Sequence, residues 1–253
     1  MDHLEVSDHD GVRVLTIDRP GAKNAMNPPL RAALVEAFAA IDADDDIKAA
    51  ILTGVDPVFS AGVDFKQVQR AEDGESVAAG SHDNPAAVLR RVRKPVIAAV
   101  NGACVSGALE VALSASFIVA SEHARFADTH ALLGVTPTWG LTALLPRAVG
   151  VRKAREMSVT GNFVAADEAL RLGLVAHVVP HDELLPFTLG LAQRIPANEA
   201  VREMLELYRR GDDLSLSGAI TSETSHGANR KVDLTAFTAA GSAAAARQRE
   251  DKE

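Results

Sequence analysis

The stretch KPVIAAVNGACVSGALEVA, residues 94–112, combines a strand, a tight turn and the start of a helix. Residues 95–100 form an apolar run, which is typical of a strand that is buried on both faces. Asn101 and Gly102 are turn residues that end this strand. The small residues around Gly107 favour the start of a helix, whose first N–H groups lack partners within the helix and carry the positive end of its dipole.

Glu110 lies about one turn inside this helix, among alanine, leucine and valine. A carboxylate in such surroundings must be paired, solvated in a cavity or raised in pKa. The alternative is an exposed position on a polar face of the helix, but the neighbours of Glu110 at helical spacing form no polar face. We therefore predict a functional role for Glu110.

Strands and helices alternate outward from this stretch. Residues 4–17 predict a hairpin, Asn27 is placed to cap a following helix, and residues 49–53 predict a short apolar strand. Residues 71–85 are rich in Gly, Ser, Asp and Glu and predict a mobile surface loop. The pattern becomes mostly helical beyond residue 151, and the whole order indicates an α/β fold.

The composition excludes several classes of protein. With 253 residues, 47% hydrophobic and 24% charged, the chain has an ordinary globular balance, and its net charge of −8 does not favour a nucleic-acid partner. No run approaches the ~20 apolar residues of a membrane span, and residues 1–10 lack the pattern of a signal peptide. The sequence therefore predicts a cytoplasmic protein that binds neither nucleic acid nor membrane.

The single cysteine, Cys104, excludes an intramolecular disulfide and a cysteine-based zinc site. Its small, apolar neighbours indicate that it fills the core. The sequence contains no zinc-type cluster of ligands and no dinucleotide fingerprint after the first strand. We therefore expect no metal and no redox cofactor.

Two further stretches contain residue types that can carry chemistry. The loop FSAGVDFK, residues 59–66, follows a strand, and its small residues let a ligand approach backbone N–H groups that could bind an oxyanion or a phosphate. Taken alone, a tight turn between strand and helix is the simpler explanation. In FADTHALLGVTPTWG, residues 126–140, Asp128 and His130 alternate. By composition alone, His130 is better explained as a hydrogen-bonded structural histidine than as a catalyst.

In this order, the three stretches resemble the enoyl-CoA hydratase/isomerase (crotonase) superfamily. The resemblance covers nearly the whole chain and also includes VLTIDRP (14–20), KNAM (23–26), AVG (148–150), VTG (159–161) and VVP (178–180). It implies an α/β fold in which a spiral of ββα units forms a core over residues 1–195. It also implies that a helical region over residues 196–253 assembles a homotrimer, or a hexamer that is a dimer of trimers.

The resemblance also implies a ligand and a set of site residues. Such proteins bind acyl-CoA thioesters, and CoA would enter only as part of the substrate. By matching motifs, the backbone N–H groups of Val63 and Gly107 would hold the thioester oxygen as it gains enolate character. Further contacts with the substrate or its CoA would come from Ala22, Asn24, Ala61, Asp64, Phe65, Lys66 and Trp139.

Two positions depart from the pattern of family hydratases. Those enzymes use two glutamates, of which the first corresponds to Glu110 and the second to His130. A neutral histidine can accept a hydrogen bond and could replace a carboxylate in holding the water. The pair Thr138 and Trp139 stands where hydratases usually carry small glycines after the proline. The ring of Trp139 would either shorten or reshape the acyl pocket, or turn into the packing between subunits.

Four functions follow from these residues, and we predict the first, a hydratase in which Glu110 and His130 hold the water. A Δ3,Δ2-enoyl-CoA isomerase would need Glu110 alone as its base. An acyl-CoA hydrolase would need Ser106 within hydrogen-bond reach of His130, although Ser106 is explained more simply as the N-cap of the helix that starts at Gly107. A non-catalytic binder of CoA thioesters would keep the oxyanion loops without turnover.

Overall fold

The computed structural model describes residues 3–64, 84–230, 238 and 241. In chain order, the strands in these residues are β1 (Leu4–His9), β2 (Val12–Ile17), β3 (Ala49–Gly54), β4 (Val58–Ser60), β5 (Val96–Val100), β6 (Ala103–Val105), β7 (Phe117–Ser121), β8 (Arg125–Ala127), β9 (Val164–Ala165) and β10 (His177–Val179). The helices are α1 (Pro28–Ala43), α2 (Pro85–Leu89), α3 (Gly107–Leu113), α4 (Leu141–Val149), α5 (Val151–Thr160), α6 (Ala166–Leu172), α7 (Leu184–Gln193), α8 (Glu199–Gly211) and α9 (Leu216–Asn229).

Six strands form the larger sheet in the order β1, β2, β3, β5, β7, β10. The first two pair antiparallel, from Leu4 opposite Ile17 to His9 opposite Val12, which confirms the predicted hairpin. The remaining neighbours in this sheet pair parallel. Every residue of β3 and β5 is buried, as expected for strands that are covered on both faces.

A smaller sheet is built from the strands that follow these central ones. β4, β6 and β8 each come a few residues after β3, β5 and β7, and they pair parallel with one another. β9 adds to β8 in the antiparallel direction. The chain thus passes repeatedly from the larger sheet to the smaller one and, after β6, into α3. This repeat is the predicted spiral of ββα units.

The two faces of β3 contribute to two separate parts of the core. Ala50 and Leu52 pack into the larger hydrophobic cluster, which also contains Leu34 and Phe38 of α1. The alternate residues of β3 point the other way, into a cluster with Leu184 and Ala192 of α7. This alternation follows from the two-residue period of a strand.

Local sequence signals explain where two helices begin. The side-chain oxygen of Asn27 accepts a hydrogen bond from the N–H of Leu30 (3.0 Å), which confirms the predicted cap of α1. Asn84 caps α2 in the same way, through the N–H of Ala87 (2.9 Å). The predicted loop over residues 71–85 therefore ends in a helix start at Pro85, and its remainder up to residue 83 lies outside the described residues.

The chain divides into two compact units, Met1–Leu205 and Glu206–Glu253. Both sheets lie in the first unit. The division into a core over 1–195 and an oligomerisation region over 196–253 stays a prediction, as does the trimer or hexamer. No helix in the described part of the chain is both long and apolar enough to cross a membrane.

Gly102 sits in the turn between β5 and β6, where two backbones touch. An added Cβ atom at Gly102 would lie 2.2 Å from the carbonyl oxygen of Pro57 and 3.0 Å from Cα of Val58. A backbone atom cannot rotate away as a side chain can, so Gly102→Ala must push the turns apart. We expect a loss of about 1–3 kcal/mol in the free energy of unfolding.

Thermal unfolding of Gly102→Ala, measured beside Gly190→Ala, checks this prediction. An added Cβ at Gly190 in α7 would meet no described atom within 4 Å. Because Gly190 is helical, alanine there should leave Tm unchanged or raise it. Equal effects of the two substitutions on Tm would contradict the close approach at Gly102.

Candidate active site

The two glycine-containing motifs lie side by side at the ends of β4 and β6. These strands pair parallel, with Val58 opposite Ala103, and their chains continue together to Gly62 and Gly107. Gly62 has a φ of +89°, and an added Cβ there would lie 2.7 Å from the carbonyl oxygen of Val105 and 3.3 Å from the nitrogen of Gly107. Residue 62 must therefore be glycine for the two chains to approach so closely.

The backbone N–H groups of Val63 and Gly107 are neighbours at this point. The N–H of Met26 donates to the Gly62 carbonyl (2.7 Å), and the Met26 carbonyl accepts from Asp64 (3.1 Å). In this parallel pairing the N–H of the intervening Val63 points away from Met26. Gly107 is the first residue of α3, so its N–H has no acceptor within the helix. An added Cβ at Gly107 would lie 3.5 Å from the Val63 nitrogen, so the space beside these groups depends on glycine.

Ser106, immediately before Gly107, has a strained backbone conformation with φ 49° and ψ −110°. Conformations of this kind cost about 1–3 kcal/mol and are often found at functional sites. The Ser106 hydroxyl oxygen accepts a hydrogen bond from the N–H of Thr129 (2.9 Å) and lies 2.8 Å from Oγ1 of the same residue. These contacts hold the serine in place against the strain.

This geometry bears on two hypotheses about Ser106. The residue occupies the predicted N-cap position of α3, but its side chain bonds Thr129 and makes no capping hydrogen bond. The serine–histidine pair that the alternative hydrolase function would need is not formed. Ser106 bonds Thr129, whereas the ring of His130 bonds Asp128.

The carboxylate of Glu110 is almost fully buried, at 2% exposure. Its Oε1 accepts hydrogen bonds from the backbone N–H groups of Trp139 (2.7 Å) and Leu141 (3.2 Å). Leu141 begins α4, so its N–H belongs to the positive end of that helix dipole. Two donors thus occupy one carboxylate oxygen and leave Oε2 to face the other catalytic candidate.

Burial raises the pKa of Glu110, and the two backbone hydrogen bonds offset that rise only in part. A raised pKa makes the ionised carboxyl group a stronger proton acceptor, which is a property that a general base needs. The structure therefore supports the prediction that this buried acid has more than a packing role.

His130 is buried beside Glu110 and is held by Asp128. Its Nδ1 lies 2.5 Å from Oδ1 of Asp128, and its backbone N–H donates to the same oxygen (3.2 Å). Burial raises the pKa of Asp128, but hydrogen bonds from His130 and Ser158 outweigh it and bring the pKa below its ordinary value. Asp128 is therefore ionised and can only accept, so Nδ1 of His130 carries the proton. In the neutral form of the ring, Nε2 is then the acceptor.

The facing atoms of the two candidates are Oε2 of Glu110 and Nε2 of His130, which lie 3.8 Å apart. This distance is too long for a direct hydrogen bond. One water molecule can bridge two acceptors at such a separation. The site thus combines two buried acceptors with a neighbouring pair of backbone donors.

The predicted CoA-contacting residues fall on two adjoining segments. The N–H of Ala61 donates to the carbonyl of Lys23 (3.0 Å), which brings Ala22 and Asn24 close to the loop that contains Val63. The side chain of Asn24 is fully buried, and its amide donates to the carbonyls of Val55 (2.8 Å) and Val58 (2.7 Å). Asn24 therefore holds the loop together, and contact between CoA and this segment stays a prediction.

The rest of the predicted CoA loop begins at Asp64. Its carboxylate pairs with the guanidinium of Arg19 at 2.6 Å. Phe65 and Lys66 lie outside the described residues. Their predicted contacts with CoA stay predictions.

Comparison with known proteins shows the family to which the chain belongs. A family model described as enoyl-CoA hydratase/isomerase matches residues 7–227. The chain belongs to the enoyl-CoA hydratase/isomerase family. The predicted resemblance to this family is therefore confirmed over most of the chain.

Individual relatives extend the comparison. A probable enoyl-CoA hydratase from Rhizobium meliloti is 39% identical over 216 residues, which cover 81% of this chain and 82% of that protein. A short-chain-enoyl-CoA hydratase from Clostridium acetobutylicum is 36% identical over 219 residues, which cover 84% and 83%. The crystal structure of enoyl-CoA hydratase from Mycobacterium tuberculosis H37Rv has 44% identity and a TM-score of 0.74, and covers 89% of this chain and 92% of its own.

Sequence reasoning assigned no role to three residues that shape this family member's site. Asp128 fixes the tautomer of His130, Thr129 holds Ser106, and Arg90 donates from Nη1 to the carbonyl of Trp139 (2.8 Å). The alternation of Asp128 and His130 was a local signal for the first contact. Neither of the other two contacts has a local signal, because each joins segments more than twenty residues apart.

Substituting Glu110 with glutamine should stabilise the protein in a pH-dependent way. Because the folded-state pKa of Glu110 is raised, its contribution to stability is present at acidic pH and is lost as pH rises through that pKa. Glutamine stays neutral and can still accept from Trp139 and Leu141. Near or below about pH 4.3, the ordinary glutamic acid pKa, the Tm values should be similar. Towards neutral pH, Glu110→Gln should be higher by about 2–4 °C for each kcal/mol gained.

Thermal unfolding at a series of pH values tests this expectation. Glu156→Gln is the matched control, because Glu156 is exposed and its hydrogen bond to Lys153 lowers its pKa. The control should gain no stability as pH rises. A Tm difference for Glu110→Gln that is constant with pH would show that burial does not oppose ionisation of this carboxyl group.

Proposed function

We propose that this protein adds water across the double bond of a 2-enoyl-CoA thioester. The observation that carries the proposal is the 3.8 Å gap between Oε2 of Glu110 and Nε2 of His130, next to the N–H groups of Val63 and Gly107. A water molecule that lies beside both atoms can donate to each of them, and the adjacent donors suit a developing oxyanion. Family membership supports the same reaction.

The thioester oxygen would accept from Val63 and Gly107. As water attacks, negative charge builds on that oxygen, so donors at fixed positions stabilise the transition state more than the substrate. Removing one donor of this kind typically costs about 2.7–4 kcal/mol. The start of α3 at Gly107 adds the positive end of a helix dipole.

Proton transfer would use Glu110 as the base and the acid in turn. The water oxygen bonds to the β-carbon while one water proton passes to Glu110, and the π electrons move towards the thioester oxygen. Glu110 then returns that proton to the α-carbon on the same face. The second water hydrogen stays on the product hydroxyl, and His130 holds it through Nε2 during the addition. One water molecule is consumed, and the chain's residues return to their starting states.

The buried pair of Asp128 and His130 favours hydration over double-bond isomerisation. A single base that moves a proton along the acyl chain needs no second acceptor held opposite to it. In this protein a carboxylate fixes the histidine with its free acceptor towards Glu110. CoA would enter only as part of the substrate, and the cytoplasmic location remains a prediction of the sequence.

Turnover by two variants tests the proposal. Hydration of trans-2-enoyl-CoA thioesters is followed by loss of the absorbance of the conjugated double bond. Glu110→Gln cannot accept the proton and His130→Ala cannot hold the water, so each should lower kcat by about 10²–10⁴-fold. The exposed residues Glu156 and His177 provide matched controls, Glu156→Gln and His177→Ala, which should keep the parent rate.

Other outcomes would overturn the proposal. A parent protein that does not hydrate but isomerises 3-enoyl-CoA, with only Glu110→Gln inactive, would be an isomerase. Turnover of neither substrate class would contradict both enzymatic functions. Tight binding of acyl-CoA without turnover would then leave a binding role.

Asp128→Asn should also impair hydration, although Asp128 faces away from the water. Asparagine can donate to Nδ1 of His130 and so shift the ring proton to Nε2, which then no longer accepts. We expect kcat to fall by about 10²–10⁴-fold, with a smaller change in KM, as happens when a histidine loses its orienting carboxylate. Steady-state kinetics with a parallel Tm measurement checks this. A folded variant with kcat within about threefold of the parent would contradict the orienting role.

A further inference from the structure

We propose, building on the proposed hydratase function, that the indole ring of Trp139 closes the acyl end of the pocket and restricts the substrate to short-chain 2-enoyl-CoA thioesters. Sequence reasoning left the orientation of this ring open between the acyl pocket and the packing of subunits. Within the described chain the ring is buried, at 4% exposure, and belongs to the main hydrophobic core.

The ring touches the place where the thioester would sit. An added Cβ at Gly107 would lie 3.3 Å from Cζ3 of Trp139, 3.1 Å from Cγ2 of Val63 and 3.5 Å from the Val63 nitrogen. The edge of the indole therefore borders the space beside the two proposed oxyanion donors. An acyl group bound there has the ring as its immediate neighbour.

Hydrogen bonds hold the peptide groups of Trp139 on both sides. Its N–H donates to Oε1 of Glu110 (2.7 Å), and its carbonyl accepts from Nη1 of Arg90 (2.8 Å). The same Arg90 nitrogen donates to the hydroxyl of Ser114 (3.0 Å), which itself donates to the backbone carbonyl of Glu110 (2.8 Å). These bonds fix the backbone of Trp139 to the helix that contains the base, and the packing of the buried ring in the hydrophobic core holds the side chain.

A fixed wall sets an upper limit on the length of the acyl chain. The α- and β-carbons must lie against Glu110 and His130 for the proposed addition, and in this proposal the carbons that follow lie against Trp139. One methylene that a closely packed pocket cannot accommodate changes kcat/KM by about 10–200-fold. Short acyl groups should therefore be strongly preferred over long ones.

The kinetic test compares crotonyl-CoA with trans-2-decenoyl-CoA in the parent, Trp139→Phe and Trp139→Leu. The parent should favour crotonyl-CoA by at least ~10-fold in kcat/KM, and Trp139→Leu should reduce or reverse that ratio. Trp139→Phe keeps an aromatic ring and should lie between them, which protects the test against poor folding of the leucine variant. Phe38→Leu, a similar truncation of a fully buried ring in α1, is the matched control and should keep the parent ratio.

A binding test needs no turnover, because Trp139 is the single tryptophan of the chain. Intrinsic fluorescence of the parent is titrated with CoA, butyryl-CoA and decanoyl-CoA. Butyryl-CoA should change the emission, because its acyl group contacts the indole. CoA without an acyl group should leave the emission nearly unchanged, and decanoyl-CoA should bind at least ~10-fold more weakly than butyryl-CoA.

The outcomes separate this inference from the proposed function. Two results would overturn the proposed role of Trp139 and leave the hydratase function intact. The first is an active parent with equal kcat/KM for both enoyl-CoA substrates, and the second is a ratio of these kcat/KM values that Trp139→Leu does not alter. In a third result, the parent lacks hydratase activity while its emission still distinguishes butyryl-CoA from decanoyl-CoA. That result would support the proposed role of Trp139 and overturn the proposed hydratase function. Emission that responds to no acyl-CoA would overturn the inference by itself.

Discussion

The close parallel approach of two backbone segments, residues 58–63 and 103–107, is the constraint on which the rest of this site depends. Glycine at 62, 102 and 107 permits the contact, because an added Cβ at each position would fall within 3.5 Å of the facing segment. The contact aligns an N–H that points out of a strand pairing with an N–H at the start of a helix. A donor pair of this kind needs no charged side chain, so it can be placed in an apolar core.

The buried carboxylate of Glu110 links this donor pair to the segment that follows His130. Burial alone would favour the neutral acid, but two backbone N–H groups at the start of α4 stabilise the charged form in part. The same hydrogen bonds position Trp139, whose ring packs against Gly107. The hydrogen bonds of Glu110 therefore affect both the ionisation of this carboxyl group and the position of Trp139.

The resemblance implies a second glutamate at the position of His130, and the structure provides a physical reason why a histidine is compatible with the site. A second buried carboxylate beside Glu110 would add a like charge, whereas a neutral imidazole adds none. Asp128 keeps that imidazole in the tautomer that accepts at Nε2. The negative charge therefore lies on Asp128, at the Nδ1 side of the ring, while Nε2 of His130 remains as the acceptor.

The amino-acid sequence by itself indicated the longer strands and helices and their order, because capping, turn residues and apolar periodicity act over a few neighbouring positions. It did not predict the short strands β4 and β6, which fall in stretches that it assigned to a loop and a turn. Local signals of this kind predicted the cap at Asn27, the small-residue loop that contains Gly62 and the start of α3 near Gly107. They also predicted a functional role for Glu110. The side-chain contact of Ser106 was not predicted, since its partner Thr129 lies on a distant segment that follows β8. Only the tertiary structure decided which residues meet across the site, namely Asp128 with His130, His130 with Glu110, and Arg90 with Trp139. These contacts join distant segments, and no local pattern encodes a distance between side chains that the packing of two sheets and their helices brings together.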